Sequence, residues 1–247
     1  MATVKDIYNY IDSIAPFSTQ EEWDNSGLLV GDENKEVNKI LFALDITSDI
    51  ISQAIECSAD LIITHHPIIF KPVSNVLSDG LIYKLIENRL SIISAHTNYD
   101  KAFGGVNDIL CNIIGLNSYI KIDGTCLNIG KYDGPISSNK FLTCVKNSLG
   151  GTVRHNNINK NIENIAVCSG SGSDYLNMAM DFNCDALLTG DASHHAFLDA
   201  NEMDILLVAA GHFETEAIAI LPLLEKVKKE FDIDCALANQ KTPIITI

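Results

Sequence analysis

Two stretches of this chain determine its fold, because each of them returns later in the sequence. "KILFALDITSDII" (Lys39–Ile51) is echoed by "ENIAVCSGSGSDYL" (Glu163–Leu176). "SADLIITHH" (Ser58–His66) is echoed by "NCDALLTGD" (Asn183–Asp191). Self-similarity at a fixed spacing is the signature of repeated architecture. These echoes therefore predict that the chain contains the same structural unit twice.

The spacing between matching residues is constant. Three identical pairs are each 125 residues apart: Asp49 and Asp174, Asp60 and Asp185, and Thr64 and Thr189. A third apolar run at 91–96 recurs at 206–212, with a shorter connection before it. We therefore predict two related α/β halves that arose by internal duplication.

Within the first half, strands and helices alternate. Apolar runs predict strands at Ile40–Leu44, Leu61–Thr64 and Ser91–Ala95, with helical patterns near 48–58 and 79–88 between them. We expect Ser48 or Asp49 to cap the first of these helices. The βαβαβ order predicts mixed, largely parallel sheets with covering helices.

The segment 123–153 interrupts the repeat and suggests where the halves divide. We place the boundary near residue 125, which gives halves of 1–125 and 126–247. The terminal "PIITI" has the pattern of a strand, and we expect it to pack back on the first half. Ligands of open α/β sheets commonly bind at the carboxyl ends of strands. We therefore expect the site in the cleft between the halves.

Composition limits the classes of function. Of 247 residues, 47% are hydrophobic, which is enough for a substantial core. The net charge of −15 makes nucleic acid an unlikely partner, since phosphate contacts need a basic surface. No apolar run reaches the ~20 residues of a membrane span. "MATVKDIYNY" lacks a signal pattern, so we expect a cytoplasmic protein with no membrane partner.

Cysteine usage agrees with a reducing compartment. The seven cysteines are scattered, and no C-x-x-C pair occurs. Buried, reduced thiols are the simplest interpretation. The same observation argues against a structural zinc site built from thiolates.

The positions of the histidines indicate a metal-binding site. Six of the seven lie in polar clusters that follow apolar strands: His65-His66 in "LIITHHPIIF", His96 to Asp100 in "HTNYD", His194-His195 in "TGDASHH", and His212 to Glu216 in "GHFETE". Neighbouring strand ends bring such clusters together in space. Imidazoles and carboxylates without thiolates are the donor set of a divalent transition metal.

Each cluster also has a simpler explanation. Because Pro67 ends the strand, His65 and His66 can each bind a different metal ion. Alternatively, one of them is a core histidine and the other is exposed. His212 and Glu216 are four residues apart, which places them on one helix face as ligands or as a surface pair.

Two further groups extend the candidate site. Asp100 lies four residues after His96 and is a candidate ligand, whereas His96 either ligates or supports a ligand. His96 and His195 are also candidates for proton transfer, because histidine titrates near neutral pH. The loop Gly170–Ser173 either cradles an anion with its amides or forms a tight turn, and no P-loop motif occurs.

Five motifs together resemble those of the Nif-three-like dinuclear metal-centre proteins, which are often catalogued as GTP cyclohydrolase 1 type 2 homologues. The motifs, in order along the whole chain, are "WDNSGLLVGD" (23–32), "THHPIIFKP" (64–72), "SAHTNYDKAFGGVND" (94–108), "TGDASHH" (189–195) and "GHFETE" (211–216). The resemblance implies two divalent metal ions in a cleft. It implies His65, His66, Asp100, His212 and Glu216 as ligands, with Glu216 bridging.

The resemblance also implies a function and partners. We expect a metal-dependent hydrolase of a nucleotide, with zinc, iron, manganese, cobalt or nickel as the metal. A homohexameric ring and a small anionic or nucleotide ligand are implied as well. Two other functions fit the same motifs: a non-enzymatic metal carrier or regulator, and a ring-shaped scaffold associated with nucleic acid.

Overall fold

The computed structural model describes residues 1–116 and 118–245. The first elements are α1 (Val4–Ile14), β1 (Gly27–Val30), β2 (Lys39–Ala43), α2 (Ser48–Glu56), β3 (Leu61–Thr64), α3 (Leu81–Glu87), β4 (Ser91–Ser94) and α4 (Thr97–Lys101). They are followed by α5 (Val106–Ile113), β5 (Ser118–Lys121), β6 (Asn128–Ser137), α6 (Ser138–Leu149), β7 (Arg154–His155), β8 (Asn161–Cys168), α7 (Leu176–Asp181), β9 (Ala186–Thr189), α8 (His194–Glu202), β10 (Leu206–Ala209), α9 (His212–Glu216), α10 (Ile220–Phe231) and β11 (Asp234–Leu237).

The predicted α/β class is confirmed, since the described residues form two mixed sheets with covering helices. The three strands predicted for the first half appear as β2, β3 and β4. The cap of α2 differs from the prediction: the Thr47 side chain accepts a hydrogen bond from the Ile50 amide. Thr47 has extended backbone angles, as an N-cap requires, whereas Ser48 already lies within the helix.

The described chain divides into two compact units. The first contains Met1–Phe103 and Ala219–Lys241, and the second contains Gly104–Ile218 together with residues 242–245. The boundary predicted near residue 125 therefore falls inside the second unit. The physical reason is α5, whose Leu110 and Cys111 are buried in the core of the second unit.

The first sheet has the strand order β1-β4-β3-β2-β11. β4, β3, β2 and β11 pair in parallel, and β1 runs antiparallel along β4. β11 lies earlier in the chain than the strand predicted at "PIITI". Residues 243–245 of that motif form no strand, and its last two residues lie outside the described residues.

The second sheet has the order β5-β6-β8-β9-β10-β7. β8, β9 and β10 are parallel, and the remaining pairs are antiparallel. Side chains of β8 alternate between two buried faces: Ile165 packs in the cluster that contains α5 and α6 residues, and Ala166 in the cluster that contains α7 and α8 residues. Helices therefore cover both faces of this sheet.

The residue pairing between strands of the first sheet recurs in the second sheet, 125 residues later. Ile40 pairs with Leu61 in the first sheet, and the residues 125 positions later, Ile165 and Ala186, pair in the second. β1 and β7 each add an antiparallel edge next to the third parallel strand. This register supports the internal duplication, which stays a prediction.

The repeated aspartates have the same local function. The Asp60 carboxylate accepts hydrogen bonds from the amides of Asn38 and Lys39, at 2.8 and 3.3 Å. The Asp185 carboxylate accepts from Glu163 and Asn164, both at 2.9 Å. Each aspartate thus binds two consecutive backbone amides just before the residues of the preceding strand that pair with its own strand. The two carboxylates thus have the same hydrogen-bonding role at equivalent positions of the two sheets.

Within the described residues, no helix is both long enough and apolar enough to cross a membrane.

Candidate metal centre

The histidine pair follows β3, where the strand ends in a fixed turn. The Thr64 hydroxyl donates to the His66 carbonyl at 2.8 Å, and the His66 amide donates to the Leu44 carbonyl at 3.0 Å. The Thr64 hydroxyl also hydrogen-bonds the hydroxyl of Ser94 in β4. These bonds hold the backbone of both histidines. His65 is buried and His66 is partly exposed.

His96 joins the pair from the end of β4. Ring centroids lie 5.1 Å apart for His65 and His66, 5.0 Å for His65 and His96, and 5.4 Å for His66 and His96. One ring nitrogen from each of the three lies within 4.8 Å of the others. The prediction that strand ends bring these clusters together holds for β3 and β4. Three imidazoles in this arrangement could hold a metal ion.

Asp100 adds a carboxylate to this group. It lies in α4, is buried, and places Oδ1 3.7 Å from Nε2 of His65. The short helix α4 begins immediately after His96. Because residues four apart lie on the same side of a helix, Asp100 is placed near the histidines. The first unit therefore presents three imidazoles and one carboxylate in one place.

Asp24 fixes the orientation of His96. The Asp24 side chain is fully buried, and its Oδ1 accepts from Nδ1 of His96 at 2.8 Å and from the Asn25 amide at 2.7 Å. Its Oδ2 accepts from the Ser26 hydroxyl and from both the amide and the hydroxyl of Thr97. Burial by itself raises the pKa of the Asp24 carboxyl, but the hydrogen bond and charge of His96, with the Thr97 and Asn25 bonds, lower that pKa well below its usual range.

The other two imidazoles of the first unit are held in the same way. Nδ1 of His66 lies 2.7 Å from Oδ1 of Asp45, and Nδ1 of His65 lies 2.9 Å from the Ala95 carbonyl. An Nδ1–H that donates to an oxygen selects the tautomer in which Nε2 carries the lone pair. In all three histidines Nε2 is thus the nitrogen with a lone pair, which can coordinate a metal or accept a proton.

The second unit contains a separate ligand pair on α9. Nε2 of His212 lies 3.2 Å from Oε2 of Glu216, as the predicted helix spacing requires. Nδ1 of His212 lies 2.8 Å from Oδ2 of Asp191, which follows β9. This Asp–His–Glu arrangement repeats the pattern of the first unit, with a carboxylate on one ring nitrogen and a ligand-type group near the other.

Gly170 makes room for the Glu216 carboxylate. A Cβ at Gly170 would overlap Oε1 of Glu216, and the backbone there has φ +57°. The amides of Gly170 and Gly172 donate to the hydroxyls of Thr215 and Thr189. The loop is therefore a tight turn that supports the ligand pair.

His195 takes a different position from the other predicted residues. It is exposed in the first turn of α8, and its ring lies 5.8 Å from that of His194. Among the residues that the structure describes, it joins none of the groups that could hold a metal. Its predicted role in proton transfer stays a prediction.

The family can be assigned from comparison with known proteins. The family model Duf34/NIF3 (NGG1p interacting factor 3) matches residues 2–243. The chain belongs to the Duf34/NIF3 family. The resemblance inferred from its motifs is thereby confirmed.

Several NIF3 relatives are similar over nearly their whole length. A "GTP cyclohydrolase 1 type 2 homolog" of Clostridium perfringens is 37% identical over 244 residues, which cover 94% of this chain and 93% of the relative. A "GTP cyclohydrolase 1 type 2" of Helicobacter pylori is 32% identical over 252 residues, 99% of each chain.

Solved structures give the same result. Staphylococcus aureus protein SA1388 superposes with a TM-score of 0.90 at 28% identity, covering 100% of this chain and 99% of that one. Reduced HcgD from Methanocaldococcus jannaschii has a TM-score of 0.85 at 30% identity, covering 97% and 98%.

The side chains of this NIF3 protein suit a divalent transition metal. Donors are imidazole nitrogens and carboxylate oxygens, which zinc, iron, manganese, cobalt and nickel all accept. His65 and Asp100 are buried, so a bound cation would be shielded from screening by salt. Buried imidazoles and carboxylates with fixed tautomers fit a metal better than they fit an apolar core.

Sequence reasoning missed the carboxylates that hold Nδ1 of the histidines in this NIF3 chain. They are Asp24, Asp45 and Asp191. A signal was present, because Asp45 and Asp191 each come shortly after an apolar strand, as the histidines do, and Asp24 lies in "WDNSGLLVGD". Aspartates near strand ends are common, however, so only the contact with a histidine separates these three from the rest.

Proposed function

We propose that this NIF3 protein is a dinuclear metal-dependent hydrolase of a nucleotide, with an activity of the GTP cyclohydrolase 1 type 2 kind. The observation that carries the proposal is the group formed by His65, His66 and His96, whose ligand nitrogens lie within 4.8 Å of one another. The names of the relatives support the reaction class.

In this proposal five side chains hold two divalent cations per chain. They would be His65, His66 and Asp100 of the first unit and His212 and Glu216 of the second. The fixed Nδ1 hydrogen bonds support these assignments, because partners of this kind orient metal-binding histidines in other proteins. When bound, divalent ions supply Lewis acidity to a substrate oxygen and to the attacking water.

His96 is our first candidate for moving a proton. Its Nδ1 donates to Asp24, so its Nε2 is the nitrogen that can accept a proton from water and later return it to the leaving group. Asp24 orients the ring and stabilises its protonated form, as buried carboxylates do beside catalytic histidines. His195 is the second candidate, from α8.

Aromatic side chains around His96 favour a substrate with a planar ring. Trp23 and Phe70 lie 5.8 and 5.6 Å from the His96 ring, and both are substantially exposed. Exposed aromatics beside a polar site stack on nucleobases. Bound cations would also offset the net charge of −15, which otherwise repels phosphates.

Metal content is the first test. Protein purified without chelator and without a tag should contain close to two metal ions per chain by elemental mass spectrometry. After depletion with a chelator, zinc, iron, manganese, cobalt and nickel are offered separately. Metal content near zero under all these conditions contradicts the proposal.

Turnover is the second test, with a matched pair of variants. Glu216→Gln removes the charge of this proposed ligand, and Glu214→Gln makes the same change two residues away on α9. GTP hydrolysis should require metal, disappear in E216Q, and persist in E214Q. Two bound metals without turnover of any nucleotide would favour a carrier or regulator. DNA binding that survives metal removal and weakens with salt would favour a scaffold.

We also propose self-association into a homohexameric ring, as the family resemblance implies. Sedimentation equilibrium of the wild-type protein tests this directly. A mass near six chains supports the ring, and a monomer at micromolar concentration contradicts it.

A further inference from the structure

The first unit contains a cavity of about 790 Å³ that includes none of the metal-binding candidates. Its walls come from β1, α3, the exposed segment around Val73 and Val76, and the start of β4. Pockets that take small organic ligands typically have volumes of about 300–1,000 Å³. The cavity is therefore large enough for one small organic molecule.

Most of the wall is aliphatic. Leu29, Ile69, Ile82 and Ile86 line it, and Ile86 is 57% exposed although it lies on the cavity side of α3. Val73 is also about half exposed. Aliphatic groups that face water in a concave surface favour a ligand with an apolar body, because covering them releases their hydration water.

Two positively charged side chains line the cavity, Lys35 and Arg89, and only that of Arg89 is available to a ligand. Nζ of Lys35 is engaged with Oδ1 of Asp60 and with the carbonyls of Asp60 and Arg89. The Arg89 guanidinium forms no ion pair within residues 1–116 and 118–245. Arg89 also adopts a left-handed backbone with φ 52°, a conformation that costs a residue with a Cβ free energy.

Ser91 lies two residues from Arg89 and lines the same cavity. It is 1% exposed, and its Oγ has no hydrogen-bond partner in the described part of the chain. A Cβ at Gly31 would overlap this hydroxyl, so Ser91 packs directly against the backbone of residue 31. The hydroxyl is buried away from the cavity, so Ser91 contributes its other atoms to the wall.

We propose that this cavity binds a small amphipathic monocarboxylate. Its aliphatic body lies between α3 and β1, and its carboxylate meets the Arg89 guanidinium. Arginine is a strong donor to a carboxylate, because its planar guanidinium can form two parallel hydrogen bonds to the two oxygens. Asp32 at the same cavity opposes a second negative charge, so a single charge is favoured over a polyphosphate. The proposal is independent of the metal centre.

Titration calorimetry with three probes that share a twelve-carbon chain tests whether the cavity recognises a carboxylate head group. Each probe is used below its solubility limit and, where it forms micelles, below that concentration. Dodecanoate should bind the metal-free wild-type chain at one site, dodecanol at least tenfold more weakly, and dodecyltrimethylammonium not measurably. Equal binding of all three would overturn the proposal, because it would indicate apolar contact without recognition of the carboxylate.

Variants test the assigned residues. Arg89→Gln should weaken dodecanoate binding by about tenfold or more, as expected for a charged hydrogen bond. Arg154→Gln is the matched control, since Arg154 is the other arginine of the chain and lies over Phe197 in the second unit. Equal affinity of R89Q and R154Q overturns the proposal.

A second variant tests the apolar wall of the cavity, so that the proposal does not rest on Arg89 alone. Ile86→Asp changes an exposed wall residue, so the chain should fold normally, and it should weaken both dodecanoate and dodecanol. Unchanged dodecanoate binding in I86D overturns the proposal. The proposal is also overturned if sedimentation shows that dodecanoate dissociates the chains from one another. The cavity wall would then be an interface between copies of the chain.

Discussion

Replacing Asp24 by Asn tests how the first unit holds its histidines. The substitution keeps the shape of the side chain but turns one oxygen into an NH2 donor. If that NH2 takes the place of Oδ2, it faces the Thr97 amide, which cannot accept. If it takes the place of Oδ1, it faces the Asn25 amide and Nδ1 of His96. Neither orientation satisfies every donor around this side chain.

The magnitude follows from this geometry. At least one buried amide loses its acceptor, which costs about 1–3 kcal/mol, and the remaining bonds lose the charge of the carboxylate. Breaking a buried charged interaction by changing one partner costs about 3–5 kcal/mol in other proteins. We expect Asp24→Asn to lower the free energy of unfolding by about 3 kcal/mol. With an m-value on the order of 2 kcal/mol/M, the urea midpoint falls by about 1.5 M.

The assay uses the single tryptophan of the chain. Trp23 is adjacent to Asp24 and lies against His96, so its fluorescence in urea reports unfolding of this region. Asp32→Asn is the matched control, because Asp32 is exposed and accepts one local amide bond that asparagine can also accept. We expect the control to change the free energy by less than about 0.5 kcal/mol.

The pH dependence provides a second check on Asp24. Its folded pKa lies below the unfolded value of about 3.9, so the carboxylate stabilises the fold fully above that pH and progressively less as the pH falls through it. The difference between wild type and D24N should therefore narrow below about pH 4. A loss of less than about 1 kcal/mol at pH 7, or a difference that is constant down to pH 3, would refute this account.

Three further predictions concern the second unit. Asp191→Asn should weaken metal binding by about 10- to 100-fold in competition with a chromophoric chelator, whereas Asp199→Asn on α8 should not change it. Gly170→Ala should lower the thermal midpoint, by about 1–3 kcal/mol in unfolding free energy, because of the left-handed φ and the overlap with the Glu216 carboxylate; an unchanged midpoint would contradict the packing described. Burial raises the thiol pKa of Cys111 and of Cys184 to about 12, so both should react with a thiol reagent only after unfolding, as peptide mapping can show.

Local sequence patterns predicted the strands well, because buried parallel strands are short apolar runs between polar turns. β3, for example, matches the predicted Leu61–Thr64 in full. The division into units was predicted less well. α5 follows the first-half motifs in sequence, yet its buried residues pack with Phe141 of α6, a contact that no local pattern contains.

The candidate ligands were predictable and their supporting residues were not. His65, His66 and Asp100 belong to rare residue clusters at strand ends, and the structure brings them together with His96. Asp24, by contrast, is 72 residues from His96. A long-range contact of this kind depends on how β1 pairs with β4, and that pairing is antiparallel with an irregular register. Periodicity in the sequence carries no information about it.

The repeat itself explains why similarity between the halves could not identify the ligands. Thr64 and Thr189 end corresponding strands, and the hydroxyl of each forms hydrogen bonds that hold the turn near the candidate ligands. Two positions further on, the first half has His66, a ligand-type imidazole, and the second has Asp191, which orients His212. The same strand end thus presents a nitrogen donor in one unit and a supporting carboxylate in the other. The two sheets therefore place polar groups at equivalent positions, while the role of each group depends on the side chain that it faces.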